Sequence, residues 1–260
     1  MSKTFDAFAR YYDLLYADKD YAGEAGYVLD LARTHADRSG TAAPLQILEL
    51  GCGTGRHAEH FVAAGCTVCG VDRSPGMIAV AAERLRGKDA ATFEVGDATS
   101  LDLARKFDLV VALFHVLSYQ TEDVAVGAFF LTAARHLKPG GVAVLDFWHG
   151  PGVLSDPPAT RVRRLGNESL QLLRIAEPTV HSSLDVVEVN YTLYSQVTGE
   201  EIWHCAQESH RMRYFFLPEL ARFQEDSGLS PVASHPWLAR QGSPGSADWH
   251  AVLVAKKACR

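Results

Sequence analysis

The chain has 260 residues, of which 47% are hydrophobic and 22% charged, a balance that excludes extensive disorder. This length allows a complete α/β domain plus an elaboration. Asp and Glu outnumber Lys and Arg by 31 to 25, and the net charge of −6 disfavours a nucleic-acid partner. No apolar run approaches membrane-spanning length and the first residues lack an apolar segment, so we expect no membrane partner and a cytoplasmic location.

Five cysteines, an odd number, indicate reduced thiols. Cys66 and Cys69 have the spacing of a redox pair, but the segment has the pattern of a strand. Residues three apart on a strand point to opposite faces, so we expect no redox function there.

The first 44 residues favour helices. Phe5, Phe8, Tyr12 and Leu15 recur at helical spacing, and Asp20 is placed to cap a second helix that runs to about Ala36. A break follows at residues 39–44.

Strands and helices alternate between residues 45 and 147, which predicts βαβ units and a parallel sheet buried on both faces. The predicted strands are Leu45–Leu50, Thr67–Val71, Ala91–Val95, Phe107–Phe114 and Val142–Phe147. The predicted helices are Arg56–Ala64, Pro75–Arg86 and Glu122–Leu137, with a turn at residues 138–141.

After Gly150 the pattern changes. Prolines at 151, 157 and 158 predict a loop, and residues 187–193 then alternate apolar and polar side chains as in an antiparallel strand. Leu170–Ile175 and Ile202–Phe216 are the partner segments, with a hairpin turn at Thr198-Gly199. The chain ends with a helix at Pro218–Asp226 and strands near Pro231–His235 and Trp249–Lys256.

The most informative stretch is residues 47–55, Ile-Leu-Glu-Leu-Gly-Cys-Gly-Thr-Gly. A strand ends in the acid Glu49, and Gly51, Gly53 and Gly55 turn the chain into a helix. Glycines let the backbone approach a ligand closely, and ligands bind at the carboxyl ends of such strands. The spacing differs from the dinucleotide fingerprint, which would need a glycine where Arg56 stands.

The next two strands also end in acids. Asp72 follows the second strand, where a carboxylate commonly holds a ribose diol, and Asp97 follows the third, where it can accept from an exocyclic amine. Each acid alone is equally typical of a turn or a helix cap. Three acids at three successive strand ends favour one ligand site.

These elements, in this order over residues 47–141, resemble the motif set of the class I S-adenosylmethionine-dependent methyltransferases. The resemblance implies a seven-stranded Rossmann-like sheet with helices on both faces, an antiparallel insertion after the fifth strand, and S-adenosyl-L-methionine as cofactor. Glu49 and the three glycines would line the methionine part, Asp72 the ribose and Met77 the adenine. Asp97 and Ala98 would meet the adenine amine, and Leu113 and Phe114 the methionine end.

The flanks resemble bacterial small-molecule methyltransferases, especially those that N-methylate amino sugars on nucleotide carriers. The resemblance rests on the tyrosine-rich segment 11–21 and on residues 210–216 in the insertion. It implies a lid at the cofactor site, with Tyr12 on the acceptor, Tyr16 in catalysis and Tyr21 at the cofactor. The alternative is that these rings pack a helix onto the sheet.

His115, just past the fourth strand, is the first candidate for a base that accepts a proton from the acceptor. Asp146, Trp148 and His149 at the end of the fifth strand form a second candidate site, with Trp148 as a pocket wall and His149 as a weaker base. His115 also fits a structural role in which it satisfies local backbone groups.

The insertion carries six arginines and no lysine, and arginine suits bidentate capture of phosphate or carboxylate. Arg211 and Arg213, with Tyr214 nearby, are the candidates for acceptor binding. The alternative is surface charge paired with glutamates. His57 and His60 lie three apart on a helix, but we expect a solvated face rather than a metal site, and no metal elsewhere.

The sequence therefore predicts a helical lid at 1–40, a cofactor-binding core at 41–150, an antiparallel acceptor cap at 151–216 and a C-terminal completion of the core at 217–260. The predicted activity is methyl transfer to nitrogen or oxygen of a small molecule, such as a sugar or amino sugar. Alternatives are an amino acid, a peptide N-terminus or an aromatic metabolite as acceptor, a non-catalytic cofactor-binding protein, and an NAD-dependent oxidoreductase. The insertion is also a candidate homodimer surface.

Overall fold

The structure, a computed structural model, describes residues 11–37 and 43–259. A short helix α1 (Tyr12–Leu15) precedes α2 (Tyr21–His35), whose first turn is capped because the Asp20 side chain accepts from the Gly23 N–H at 2.8 Å. The predicted helical contributions of Phe5 and Phe8 and most of the break at 39–44 lie outside the described residues.

The central part follows the predicted alternation of strands and helices. The strands are β1 (Gln46–Leu50), β2 (Thr67–Asp72), β3 (Ala91–Val95), β4 (Phe107–Ala112) and β5 (Leu137–His149). The helices are α3 (Arg56–Ala63), α4 (Pro75–Arg84) and α5 (Asp123–His136). The five strands are parallel, and one apolar cluster packs on each face of the sheet.

The fifth strand is longer than predicted, because residues 138–141 belong to it rather than to a separate turn. Leu137 already pairs with Phe107, and a register shift between Phe107 and Leu109 accommodates the bend. Gly140 in this segment has φ +75°, a backbone conformation that residues other than glycine rarely adopt.

The C-terminal segment completes the sheet. Helix α7 (Leu217–Asp226) leads into β10 (Leu229–Pro236) and β11 (His250–Lys257). Strand β11 is antiparallel to both β5 and β10, so the seven core strands run in the order β3-β2-β1-β4-β5-β11-β10. This is the sheet that the sequence predicted.

The insertion begins with helix α6 (Gly150–Ser155), where the sequence indicated only a loop. Pro151 stands in the first turn of this helix, where proline loses no hydrogen bond. The strands that follow are β6 (Arg161–Gly166), β7 (Leu170–His181), β8 (Val186–Val197) and β9 (His204–Phe215).

These four strands are antiparallel and continue the central sheet rather than forming a separate one. Strand β4 ends at Ala112, which leaves the end of β5 open on that side. Strand β9 pairs there, with Trp148 opposite Tyr214 and His149 opposite Phe215. Within the described residues, no helix is long and apolar enough to cross a membrane.

Candidate active site

A cavity of about 730 Å³ lies at the carboxyl ends of the parallel strands, within the size range of small-molecule sites. Its first wall consists of the loops that follow β1, β2, β3 and β4. Its second wall is one face of the antiparallel insertion. The insertion residues on that face alternate along their strands and are Arg161, Arg174, Ala176, Pro178, Val189, Tyr191, His210 and Met212.

The glycine turn after β1 brings bare backbone to the first wall. Gly51 and Gly53 line the cavity and have φ values of +71° and +53°. A Cβ on Gly51 would lie 2.5 Å from Cγ2 of Val116, so only glycine fits between the loops after β1 and β4. Gly55 stands outside the cavity, because it caps α3 and faces Ala81.

Asp72 is held at the mouth of this turn by two backbone donors. Its Oδ2 accepts from the Gly53 N–H and its Oδ1 from the Ser74 N–H, both at 2.9 Å. Burial raises the pKa of the Asp72 carboxyl, and the two backbone hydrogen bonds oppose that shift. Each oxygen keeps a second lone pair for a hydroxyl donor.

The other predicted cofactor contacts also line the cavity. They are Met77, Asp97 and Ala98, predicted at the adenine, and Leu113 and Phe114, predicted at the methionine end. Asp97 is also a turn aspartate, because its Oδ1 accepts from the N–H and hydroxyl of Thr99 at 2.8 and 2.7 Å. Its second oxygen lies 3.9 Å from Arg73 and is the one left for a ligand.

Glu49 does not reach the cavity surface. It is buried, with Oε1 3.6 Å from His57 Nδ1 and with Oε2 lacking a hydrogen-bond partner among the described residues. Burial, with a smaller contribution from the negative Asp72, raises the Glu49 pKa to about 8. Its carboxylate lies behind the glycine turn that it was predicted to share with the ligand.

His57 corrects the expectation of a solvated histidine face. It is buried, and its Nε2 lies 2.8 Å from Oε2 of Glu24, which also pairs with Lys19. Burial raises the Glu24 pKa, but the hydrogen bonds with His57 and Lys19 outweigh it and leave that pKa below its ordinary value. In the described chain no cluster of three or more His, Cys, Asp or Glu side chains could hold a metal ion.

Tyr21 belongs to this buried layer rather than to the cofactor pocket. Its ring packs edge-on against His57 at 4.9 Å, and its hydroxyl is buried with no hydrogen-bond partner in the described structure. Tyr12 and Tyr16 do line the cavity, as predicted for the lid, and their ring centroids lie 4.8 Å apart.

His115 lines the cavity beside Asp146. The His115 backbone N–H donates to Asp146 Oδ1 at 2.8 Å, and its ring Nδ1 lies 3.2 Å from Asp146 Oδ2, in contact but without hydrogen-bond alignment. Burial lowers the pKa of His115 well below its ordinary value and raises that of Asp146 to about 7. The imidazole is therefore neutral near pH 7 and keeps a free lone pair, although burial makes it a weaker base than a solvated imidazole.

The second predicted base, His149, faces away from the cavity. Its Nδ1 lies 3.0 Å from the Asp248 carbonyl oxygen, and its backbone N–H donates to Trp249, which fixes it inside the sheet. Trp148 is a cavity wall, as predicted.

Two of the three predicted acceptor-binding residues of β9 lie on the face of that strand opposite the cavity. Arg211 is exposed there, and Arg213 pairs with Asp123 and Glu219 at 2.6 and 2.7 Å. The cavity receives His210 and Met212 instead, because a strand sends successive side chains to opposite faces. Tyr214 shares the face of Met212 but does not line the cavity, because it is fully buried against Phe216.

A polar chain that sequence reasoning missed lies on the second wall. The Tyr119 hydroxyl lies 2.8 Å from His210 Nδ1, and His210 Nε2 lies 3.0 Å from Oε2 of Glu208. The ring of Tyr191 packs edge-on against His210 at 4.9 Å. The alternation that put Arg211 on one face of β9 also put His210 on the other, and no local motif marked which face meets the cavity.

Comparison with known proteins decides the family. A methyltransferase-domain family matches residues 47–141. The dTDP-3-amino-3,4,6-trideoxy-alpha-D-glucopyranose N,N-dimethyltransferase of Streptomyces venezuelae is 33% identical over 186 residues, which cover 70% of this chain and 74% of that protein. The chain belongs to the S-adenosylmethionine-dependent methyltransferases.

Other methyltransferases match over more of the chain. The dTDP-4-amino-2,3,4,6-tetradeoxy-D-glucose N,N-dimethyltransferase of Saccharopolyspora spinosa is 28% identical over 88% of this chain and 92% of its own. The crystal structure of Streptomyces venezuelae DesVI superposes with a TM-score of 0.78 at 25% identity, covering 96% of this chain and 98% of that one. The predicted fold, enzyme class and cofactor, S-adenosyl-L-methionine, are confirmed.

Proposed function

We propose that this methyltransferase transfers a methyl group to the amino nitrogen of an amino sugar. The relatives from Streptomyces venezuelae, Saccharopolyspora spinosa and Streptomyces fradiae that support this proposal are all named as N,N-dimethyltransferases of dTDP-linked amino sugars. Each aligns with at least 70% of this chain, so the similarity extends beyond the cofactor motifs.

The first wall suits the cofactor. Asp72 and Asp97 offer carboxylate oxygens to hydroxyl and amine donors, Met77 and Ala98 offer an apolar surface, and the bare backbone of Gly51 and Gly53 allows close approach. When bound, S-adenosylmethionine supplies an electrophilic methyl group on a positively charged sulfur. The acids also favour a cationic ligand electrostatically.

The acceptor would meet His115 at the cavity. The position of His115 there, beside Asp146, is the observation that carries the proposal. An amino sugar is a cation at neutral pH and is a nucleophile only after losing a proton. Neutral His115 would accept that proton, and Asp146, whose Oδ2 lies 3.2 Å from the His115 Nδ1, positions the ring at the cavity. Alignment of the reactants in a closed site contributes up to about 7–11 kcal/mol, so the base is a secondary factor for an amine.

The test is incubation of the protein with S-adenosylmethionine and matched sugars, followed by mass spectrometry. We expect methyl addition to a 3-amino or 4-amino sugar and none to the same sugar with a hydroxyl at that position. Transfer only to the hydroxyl sugar, or to a carboxylate or peptide acceptor instead, would refute the proposal.

Calorimetric titration tests separately whether the protein binds the cofactor. S-adenosylmethionine and S-adenosylhomocysteine should bind the native protein, and the variant D72A should bind both more weakly. D102N, an exposed acid outside the cavity, is the matched control. NAD should not bind.

Three further expectations from the sequence belong to the proposal. Residues 151–216 act as the acceptor cap over a core that spans 41–150 and 217–260, with a lid at 1–40. Two subunits pair through the insertion, and the enzyme acts in the cytoplasm on a small molecule rather than on nucleic acid or at a membrane. Size-exclusion chromatography with light scattering tests the pairing.

A further inference from the structure

A second histidine lines the cavity beside the candidate base. His250 is the first residue of β11 and lies opposite Trp148 of β5. Directly opposite residues of paired antiparallel strands share a face, so both side chains are at the cavity, where His250 is accessible to solvent. The cofactor motifs and the proposed methyl transfer leave His250 without a role.

The imidazole of His250 packs against that of His115. The two ring centroids are 4.4 Å apart, and the ring planes are inclined by 38°. The Nδ1 of His115 faces Asp146 at 3.2 Å, which leaves Nε2 as its nitrogen for the acceptor amine. His250 therefore borders the position at which the acceptor nitrogen loses its proton.

The ring nitrogens of His250 are available to a ligand. Among the described residues the side chain has ring contacts with His115 and Trp249 but no hydrogen bond or ion pair, whereas the buried His57 pairs with a glutamate. Partial burial, followed by the positive charge of Lys19, lowers the pKa of His250 below its ordinary value. A neutral imidazole offers one donor and one acceptor, which matches the hydrogen-bonding capacity of a hydroxyl.

Tryptophan rings flank His250 on that side of the base. Trp148 and Trp249 pack edge-on with centroids 5.2 Å apart, and Trp249 Nε1 already donates to the Asp156 carbonyl oxygen at 2.8 Å. An amine at His115 brings the substituents of the neighbouring sugar carbons within reach of His250, because the two imidazoles are in contact. A hydroxyl there would find a hydrogen-bond partner, whereas a hydrogen atom would leave the imidazole unpaired.

We propose that His250 selects an amino sugar that carries a hydroxyl on a carbon next to the amine, and that it acts by hydrogen bonding to this hydroxyl. The inference rests on the proposed function, because it places the acceptor nitrogen at His115. Discrimination of this kind arises because a site that hydrogen-bonds a substrate hydroxyl rejects the analogue without it.

This requirement divides the acceptors of the amino-sugar relatives. The 3-amino-3,6-dideoxy sugar named for the Streptomyces fradiae enzyme has a hydroxyl on both carbons next to the amine. The 4-amino-2,3,4,6-tetradeoxy sugar named for the Saccharopolyspora spinosa enzyme has none. His250 would make this chain favour an acceptor of the first kind.

The test measures kcat/KM for 3-amino and 4-amino 6-deoxyglucoses on one nucleotide carrier, and for analogues that each lack one hydroxyl next to the amine. The native protein should methylate at least one analogue about five- to tenfold less efficiently than its parent sugar, because a hydrogen bond to a neutral group contributes about this much. In H250F, which keeps a ring against His115 but neither hydrogen-bonding group, that analogue and its parent should react alike.

Two further variants keep the result interpretable. H204F makes the same replacement at an exposed histidine outside the cavity and should keep the native preference. H250N retains one donor and one acceptor and should keep part of it. Thermal melting and calorimetric titration with S-adenosylhomocysteine separate a changed acceptor preference from a loss of folding or of cofactor binding.

Three results would overturn the role of His250. They are equal methylation of parents and analogues by the native protein, a preference that persists unchanged in H250F, and a fall in S-adenosylhomocysteine affinity that accounts for the loss of activity in H250F. Each of them leaves the proposed function standing. Methylation of no amino sugar in the set would instead remove the proposed function, and this inference with it.

Discussion

His115 Nδ1 lies 3.2 Å from Oδ2 of Asp146, while the other Asp146 oxygen accepts the His115 backbone N–H at 2.8 Å. Phe114 and His115 both have positive φ values, +65° and +67°, which bulky residues adopt only when the surroundings enforce them. The two oxygens of the buried Asp146 carboxyl thus have two effects. One holds the strained loop after β4 through the backbone N–H, and the other contacts the imidazole that lies at the cavity.

Replacing His115 by alanine should lower the methylation rate of an amine acceptor only modestly. An amine keeps an available lone pair once deprotonated, so we expect kcat for N-transfer to fall only severalfold. An acceptor that depends on the base, as an alcohol does, would instead lose about 10²- to 10⁴-fold. Single-turnover rates on the amino sugar measure the loss, with H204A, an exposed histidine of the insertion, as control. A severe loss for a proven amine acceptor, with cofactor affinity intact, would contradict this prediction.

Gly51→Ala should destabilise the protein and abolish tight cofactor binding. The positive φ alone costs an alanine about 1–2 kcal/mol, and the new Cβ would lie 2.5 Å from Val116. The double variant with Val116→Ala removes the side-chain contact and should recover part of the stability. Gly26→Ala is the matched control, because that glycine is exposed within α2 and its Cβ would meet nothing within 4 Å. This control should be about 0.5–1 kcal/mol more stable. Denaturant titration measures all four, and equal losses at both glycines would refute the prediction.

Glu49→Gln should change how stability depends on pH. The pKa of Glu49 is about 8 in the folded protein against 4.5 ordinarily, so the folded state binds this proton more tightly. The free energy of unfolding therefore falls as pH rises between these two values. The amide has no such dependence, so the Tm of the native protein should fall relative to E49Q by several degrees between pH 5 and 9. E225Q, at an exposed site, should run parallel to the native curve. Parallel curves for E49Q would show that Glu49 titrates normally.

The Tyr119–His210–Glu208 chain gives a prediction about acceptor binding. A Glu208 carboxylate accepts the His210 Nε2–H, so His210 Nδ1 accepts the Tyr119 O–H and holds the Tyr119 side chain in place at the cavity wall. Tyr119→Phe should raise the acceptor KM about tenfold and leave cofactor Kd unchanged. His210→Gln should act in the same direction. Steady-state kinetics and calorimetry provide the two readouts, and a matching loss of cofactor affinity would point to a general collapse of the cavity instead.

Much of the fold could be read from local patterns. The alternation from Gln46 to His136 predicted every core strand and helix to within a few residues, because apolar periodicity and caps such as Asp20 act over short distances. The errors lie where distant segments meet. Residues 138–141 join β5 because Leu137 pairs with Phe107, and the insertion joins the central sheet because β4 ends early and leaves room for β9.

The candidate site divides in the same way. The turn residues Gly51 and Gly53 and the acid Asp72 were marked by motif and spacing, and all of them line the cavity. Arg213 was predicted there from residue type alone, but it is an internal ion-pair partner of helices α5 and α7. Arg174 carries no motif, and the resemblance at residues 210–216 did not single out His210, so only the pairing of their strands shows that both line the cavity.

The sequence by itself determined the methyltransferase family, the cofactor and two acids that line the cavity, Asp72 and Asp97, because a glycine turn and the ends of consecutive strands are local features. The tertiary structure decided which face of the insertion meets the cavity, and so which arginines, tyrosines and histidines line it. The sequence of a strand does not show which of its two faces will meet a cavity. That choice follows from packing against segments more than 50 residues away in the chain, as in the contact of Tyr119 with His210.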